Sequence, residues 1–233
     1  MSGEYTTITV PDGAFKAYVA RPRGGGSAPA VVVLQEIFGV NAVMRGIADA
    51  IAADGFVAIC PDLFWRLEPG VDITDQTPGE WKIALDLMNR FDADAGVKDI
   101  QATIDAIRAD SACNGKVGAV GFCLGGKLAF LTAARTDADA AVSYYGVGLE
   151  NLIAEAANIK KPLMLHIAGK DSFSSKAAQE QVEAGLKGNS NVVIYVYEDR
   201  DHAFARPGGE HYDAADAQLA NGRTRAFLSK ILG

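Results

Sequence analysis

From Ala30 onward the chain alternates short, wholly apolar runs with longer amphipathic ones. The runs AVVVL (30–34), FVAIC (56–60) and VGAVGF (117–122) have no polar face. A strand needs that composition when helices cover both of its faces, as in the parallel sheet of an α/β fold. Candidate strands are 6–10, 15–20, 30–35, 56–61, 116–122, 141–145, 162–168 and 192–198. Candidate helices are 42–53, 81–91, 95–110, 124–135, 149–157, 175–186 and 211–232. The first two strands are joined by Pro11-Asp12-Gly13, a hairpin turn. The pattern predicts one α/β domain over 1–233, a mostly parallel sheet with helices on both faces and an antiparallel N-terminal edge.

Composition narrows the function classes. Twenty-two basic against 29 acidic side chains leave a formal net charge of −7 over 233 residues, which argues against nucleic acid as a partner. No apolar run approaches the ~20 residues of a membrane span. The opening MSGEYTTITV lacks the basic and apolar segments of a signal peptide. Three cysteines without an export signal suggest free thiols and a cytoplasmic setting. The stretch 63–79 is the longest without periodicity, and reads as a rim or lid, or as a plain surface excursion.

The chemistry-bearing feature is Gly121-Phe122-Cys123-Leu124-Gly125-Gly126, between an apolar strand and an apolar helix. It matches the G-x-S-x-G nucleophile elbow with sulfur in place of oxygen. The turn is tight, so its glycines admit neighbouring backbone and its central residue is strained above the sheet. The helix N-terminus beneath favours both a thiolate and an oxyanion. A phosphate-binding loop reading of Gly121 to Lys127 fails at Leu128, where the magnesium-binding hydroxyl should stand. A buried structural cysteine at a glycine-rich corner is the remaining alternative.

An elbow hydrolase places its acid and then its histidine downstream of the nucleophile. Asp171 follows the strand 162–168, and His202 follows the strand 192–198. Both therefore fall on the carboxyl rim with Cys123, where α/β sites assemble. Asp199 and Asp201 compete with Asp171 but belong to the loop carrying His202. His166, within an apolar strand, reads as a core histidine, and His211 as an exposed or capping residue at the start of the last helix. Cys60 reads as a small buried hydrophobe and Cys113 as an incidental loop residue. In a triad, His202 takes the thiol proton and Asp171 fixes and stabilises the imidazole. The elbow assigns one oxyanion-hole N–H to Leu124.

Seven blocks carry a wider resemblance: QEIFGVN (35–41), CPDL (60–63), DAGV (94–97), NGKVG (114–118), GFCLGG (121–126), YYGVG (144–148) and HAFAR (202–206). Together they resemble the dienelactone hydrolase family of α/β-hydrolases along most of the chain. The resemblance implies hydrolysis of an enol-lactone, dienelactone to maleylacetate, in aromatic-compound degradation. It implies a small-molecule substrate, no metal or organic cofactor and no obligate protein partner. It carries Cys123, Asp171 and His202 over as the triad, adds Glu36 as a partner of the thiol, and places the second oxyanion-hole N–H at Ile37. A carboxylate beside the sulfur would hold Cys123 protonated until substrate binds.

A carboxylate-bearing lactone calls for a cation, and Arg206, four residues past His202, suits it. Where the family commonly has a second arginine, this chain has Trp81, followed by Lys82 as a weaker substitute, and Ala203 replaces the family's serine. These departures suit a bulkier or less acidic lactone or ester. Tyr144 and Tyr145 end a strand on the same rim, as pocket lining or as core. Outside hydrolysis, the alternatives are a protein of this fold that binds a small acidic ligand or acts as a thiol redox sensor.

Overall fold

The computed structural model describes residues 3–233. Eight strands form one sheet: β1 (Glu4–Val10), β2 (Gly13–Ala20), β3 (Ala28–Leu34), β4 (Val57–Pro61), β5 (Cys113–Phe122), β6 (Ala140–Tyr144), β7 (Leu163–Ala168) and β8 (Val192–Tyr197), in the order β1-β2-β4-β3-β5-β6-β7-β8. Strands β4 to β8 with β3 run parallel, whereas β1 pairs antiparallel with β2 and β2 with β4. The antiparallel edge is therefore where the turn at Pro11 and Asp12 placed it. The apolar runs lie at the sheet centre, and every residue of β4 and β6 is buried.

Helices α1 (Ala42–Ala53), α2 (Pro78–Arg90), α3 (Ala93–Arg108), α4 (Leu124–Arg135), α5 (Lys176–Leu186) and α6 (Ala214–Leu232) fill the connections, with a 3-10 helix over Leu149–Asn158. A side chain at Gly118 would meet Leu228 and Leu232 of α6, whereas one at Gly121 would meet the backbone of α4. Residues three apart on a strand face opposite ways, so α4 and α6 cover opposite faces. Helix α3 packs beside α4.

Two helix starts differ from the periodicity by three residues. Helix α2 begins at Pro78, three residues early, because Thr77 caps it: its Oγ1 accepts from Glu80 N (3.2 Å) and donates to Glu80 Oε2 (2.7 Å). That is an N-cap threonine followed by proline at the first helical position. Helix α6 begins at Ala214 rather than at His211, because Asp213 accepts from Asp216 N (2.9 Å). His211 lies in the preceding turn. Cys113 opens β5 rather than sitting in a loop, and Cys60 is fully buried in β4, where desolvation pushes its thiol pKa up.

The stretch 63–79 is anchored at several points. Phe15 and Trp65 stack, Asn41 Nδ2 donates to Ile73 O (2.9 Å), and Arg45 pairs with Asp72 (2.7 Å). At the opposite edge of the sheet, a Cβ at Gly24, Gly25, Gly26, Gly55 or Gly188 would meet nothing.

Candidate active site

Cys123 stands between β5 and α4 with φ 56° and ψ −114°, a strained conformation for a residue with a Cβ. Its N–H donates to Tyr144 O (3.1 Å), which ties the corner to β6. The flanking glycines are a steric requirement. A Cβ on Gly121 would strike the Gly125 carbonyl, one on Gly125 the Leu34 carbonyl, and one on Gly126 the Tyr144 carbonyl. Strand β3, the elbow and β6 are packed backbone against backbone here. Neither Leu124 N–H nor Ile37 N–H has a hydrogen-bond partner among the described residues.

The loops after β7 and β8 meet because Gly169 lies against the backbone of Glu198. Gly169 N donates to Tyr197 O and Lys170 N to Arg200 O, both at 2.8 Å. Asp201 Oδ1 then joins the loops, accepting from Ser172 N (2.8 Å) and His202 N (2.6 Å). The result is a buried pair: His202 Nδ1 lies 3.0 Å from each carboxylate oxygen of Asp171. Asp171 Oδ1 also accepts from Phe173 N (2.8 Å). The His202 ring is packed between Phe173 and Tyr145, with centroids at 4.7 and 5.1 Å. Burial alone would lower the His202 pKa. The charge and hydrogen bonding of Cys123, and the bond to Asp171, outweigh it and raise the pKa to about 10. Asp199 instead pairs with Lys170 at the surface (2.8 Å).

His166 lies apart from this site. Its Nδ1 is 2.9 Å from Tyr197 Oη and its Nε2 3.0 Å from Thr224 Oγ1. Burial, aided by Arg223, lowers its pKa to about 3.

Glu36 and Arg206 form a second buried arrangement. Arg206 Nε donates to Glu36 Oε2 (2.7 Å), and Nη1 donates to Asp75 Oδ2 (2.6 Å). Glu36 Oε1 is buried without a partner among the described residues. The carboxylate expected beside the thiol is thus held by an arginine, and the arginine expected to be open to substrate already holds two carboxylates. Arg206 also lies over the Phe38 ring, 5.0 Å from its centroid.

A cavity of about 490 Å³ opens over His202 and Arg206, walled by Asp75, Trp81, Phe173 and Glu210. Trp81 is fixed by its Nε1 donating to Asp75 O (2.9 Å) and by an edge contact with Phe38. Lys82 lines an adjoining outer groove with Leu85 and Asn89, which shares Asp75, Gln76 and Trp81 with this cavity. Tyr144 is not pocket lining here. It is fully buried, bonded to Asn221 (3.0 Å) and Thr224 (2.6 Å), and turned toward α1 and α6. Its neighbour Tyr145, with φ 38°, points the other way and backs His202, its hydroxyl buried without a partner among the described residues. Desolvation, with Glu36 adding, pushes that hydroxyl's pKa well up.

Phe173 and Asp75 are among the cavity residues that were not singled out from the sequence. Phe173 is an exposed aromatic in the polar run KDSFSS, and that contrast is a usable signal. Asp75 left no local trace, because its partner is 131 residues away.

A parallel sheet whose strained strand-to-helix corner presents a thiol, with a His–Asp pair on the same rim, defines an α/β-hydrolase. The profile of the Dienelactone hydrolase family matches residues 15–232. A Pseudomonas putida carboxymethylenebutenolidase is 41% identical, over 93% of this chain and 92% of its own. An Azospirillum brasilense protein, provisionally named a carboxymethylenebutenolidase, is 54% identical over 98% of this chain and 100% of its own. A Klebsiella pneumoniae crystal structure, provisionally described as a dienelactone hydrolase, superimposes with a TM-score of 0.87 at 27% identity, covering 97% of this chain and 98% of that one. The chain belongs to the dienelactone hydrolase family, and it is a hydrolase of that family.

Proposed function

We propose that the protein is a thiol-dependent hydrolase of small lactones and activated esters. Enol-lactones head that class, with the conversion of dienelactone to maleylacetate in aromatic-compound degradation as the reference reaction. The observation that carries the reading is the buried His202, with Asp171 at 3.0 Å on Nδ1 and Cys123 near enough to raise the pKa of the ring. With Nδ1 taken by the carboxylate, Nε2 is the nitrogen left for sulfur.

The cycle has two halves. His202 takes the thiol proton, and the Cys123 sulfur attacks the substrate carbonyl. The oxyanion so formed sits against the N–H groups of Leu124 and Ile37. Collapse breaks the ester C–O bond, and His202 returns the proton to the leaving oxygen. In a lactone that oxygen stays tethered to the new thioester. His202 then deprotonates water, whose oxygen attacks the thioester carbonyl. The C–S bond breaks, the acid leaves, and the thiol regains its proton. Asp171 holds the ring in one tautomer throughout and stabilises the imidazolium.

The test is steady-state hydrolysis of 4-nitrophenyl acetate and of the enol-lactone by the wild type, Cys123→Ala and His202→Ala. Both variants should lose at least about 10³-fold in kcat/KM on each substrate. Wild-type turnover by Cys123→Ala would refute the reading.

A further inference from the structure

The Arg206 guanidinium is the one cationic side chain of Arg or Lys type lining the cavity over His202, and it is not free. Glu36 takes Nε, and Asp75 takes Nη1 from the cavity side. Asp75 is held there independently of that bond, because its backbone carbonyl accepts from Trp81 Nε1 (2.9 Å). Trp81 is in turn fixed by Phe38 and by the first turn of α2, where Glu80 also accepts from Thr74 N (2.8 Å). The carboxylate is therefore presented by a braced segment rather than by a free loop. Its side chain is 14% exposed. Burial would raise the Asp75 pKa, but bonds from Gln76 and Arg206 outweigh it and keep the group below the ordinary carboxylate range.

An anion entering this cavity meets the carboxylates of Asp75 and Glu210, with His202 and His211 beside the one guanidinium, and that guanidinium is already paired. It has to displace Asp75 from Nη1 or do without the arginine.

We propose that Asp75 is a specificity-determining residue: it occupies, as a built-in carboxylate, the place on Arg206 that an anionic substrate such as dienelactone would take, and so makes such a substrate slower than an uncharged lactone or ester of matched reactivity. This rests on the hydrolase reading above. An uncharged acyl group leaves the Glu36–Arg206–Asp75 chain intact and lies against the apolar faces of Trp81 and Phe173. A carboxylate-bearing one competes with a tethered carboxylate at high effective concentration, and the repulsion from Glu210 remains.

The experiment compares the 4-nitrophenyl monoester of glutaric acid with its terminal carboxamide, a pair matched in size and differing in charge. The readout is the ratio of kcat/KM, neutral over anionic, for the wild type, Asp75→Asn and Asp75→Ser. The ratio should exceed one in the wild type and fall by about threefold or more in both variants, through a lower KM for the anion. A residue that served only to brace the loop would slow both substrates alike and leave the ratio unmoved. A wild-type ratio of one or below, or an unmoved ratio in both variants, overturns the proposal. Hydrolysis of both esters by Cys123→Ala at the wild-type rate would instead refute the catalytic reading, and is scored separately.

Discussion

At Cys123 the backbone is held where a residue with a Cβ is strained by about 1–3 kcal/mol, and the surrounding chain has to impose it. That constraint comes from three carbonyls, those of Gly125, Leu34 and Tyr144, which leave no room for a methyl group at Gly121, Gly125 or Gly126. Gly125→Ala should therefore cost about 3 kcal/mol or more, or prevent folding, as read from denaturant unfolding. Cys123→Ala lies outside that constraint, since it keeps the same backbone and Cβ. Its unfolding midpoint should stay near that of the wild type while hydrolysis is lost. Asp171→Asn removes the charge that fixes His202, and kcat should fall by about 10³–10⁴-fold. Glu36 stands at the end of β3, and the charge it meets there is that of Arg206, 170 positions away in sequence.

Among the elements, the loops after β7 and β8 do the positioning, and Asp201 is the pin between them. Asp201→Ala releases two N–H donors, and kcat should fall by about tenfold, one charge-assisted hydrogen bond's worth. KM should change less, because no substrate-facing group is removed. Strand β7 also carries a buried neutral imidazole. His166 has its pKa lowered to about 3 against an ordinary value of 6.5. Between those values the unfolded chain binds a proton that the folded chain refuses. Stability from this group is thus complete above about pH 6.5 and is lost as the pH falls toward 3. In a Tm-against-pH series the wild type should lose more across that window than His166→Gln. The NMR signals of His166 should not titrate between about pH 5 and 8. The sequence marked these elements well where periodicity and caps agree: the bounds 42–53 and 124–135 are those of α1 and α4. It was less exact at α2 and α6, whose starts are set by Thr77 and Asp213 side chains reaching back to the backbone rather than by the apolar pattern.

For the molecule as a whole, the parallel sheet was legible because centrally placed strands must be apolar on both faces, and the carboxyl rim followed from strand order alone. What could not be read was contact across the rim, such as Asp75 with Arg206, since no periodicity records a meeting between two loops. The sheet depends on its helical cover. Leu228 and Leu232 of α6 lie against Gly118 of β5, so Leu228→Ala should cost about 2–5 kcal/mol in chemical denaturation. The chemistry is gathered at one edge of the sheet, and the open turns at Gly24, Gly25, Gly26, Gly55 and Gly188 lie at the other. That division gives the protein a working end and a spare end. Tags, anchors or whole grafted modules spliced into the spare end would burden neither nucleophile nor base, so a lineage, or an engineer, can remodel how the molecule is tethered without renegotiating what it does.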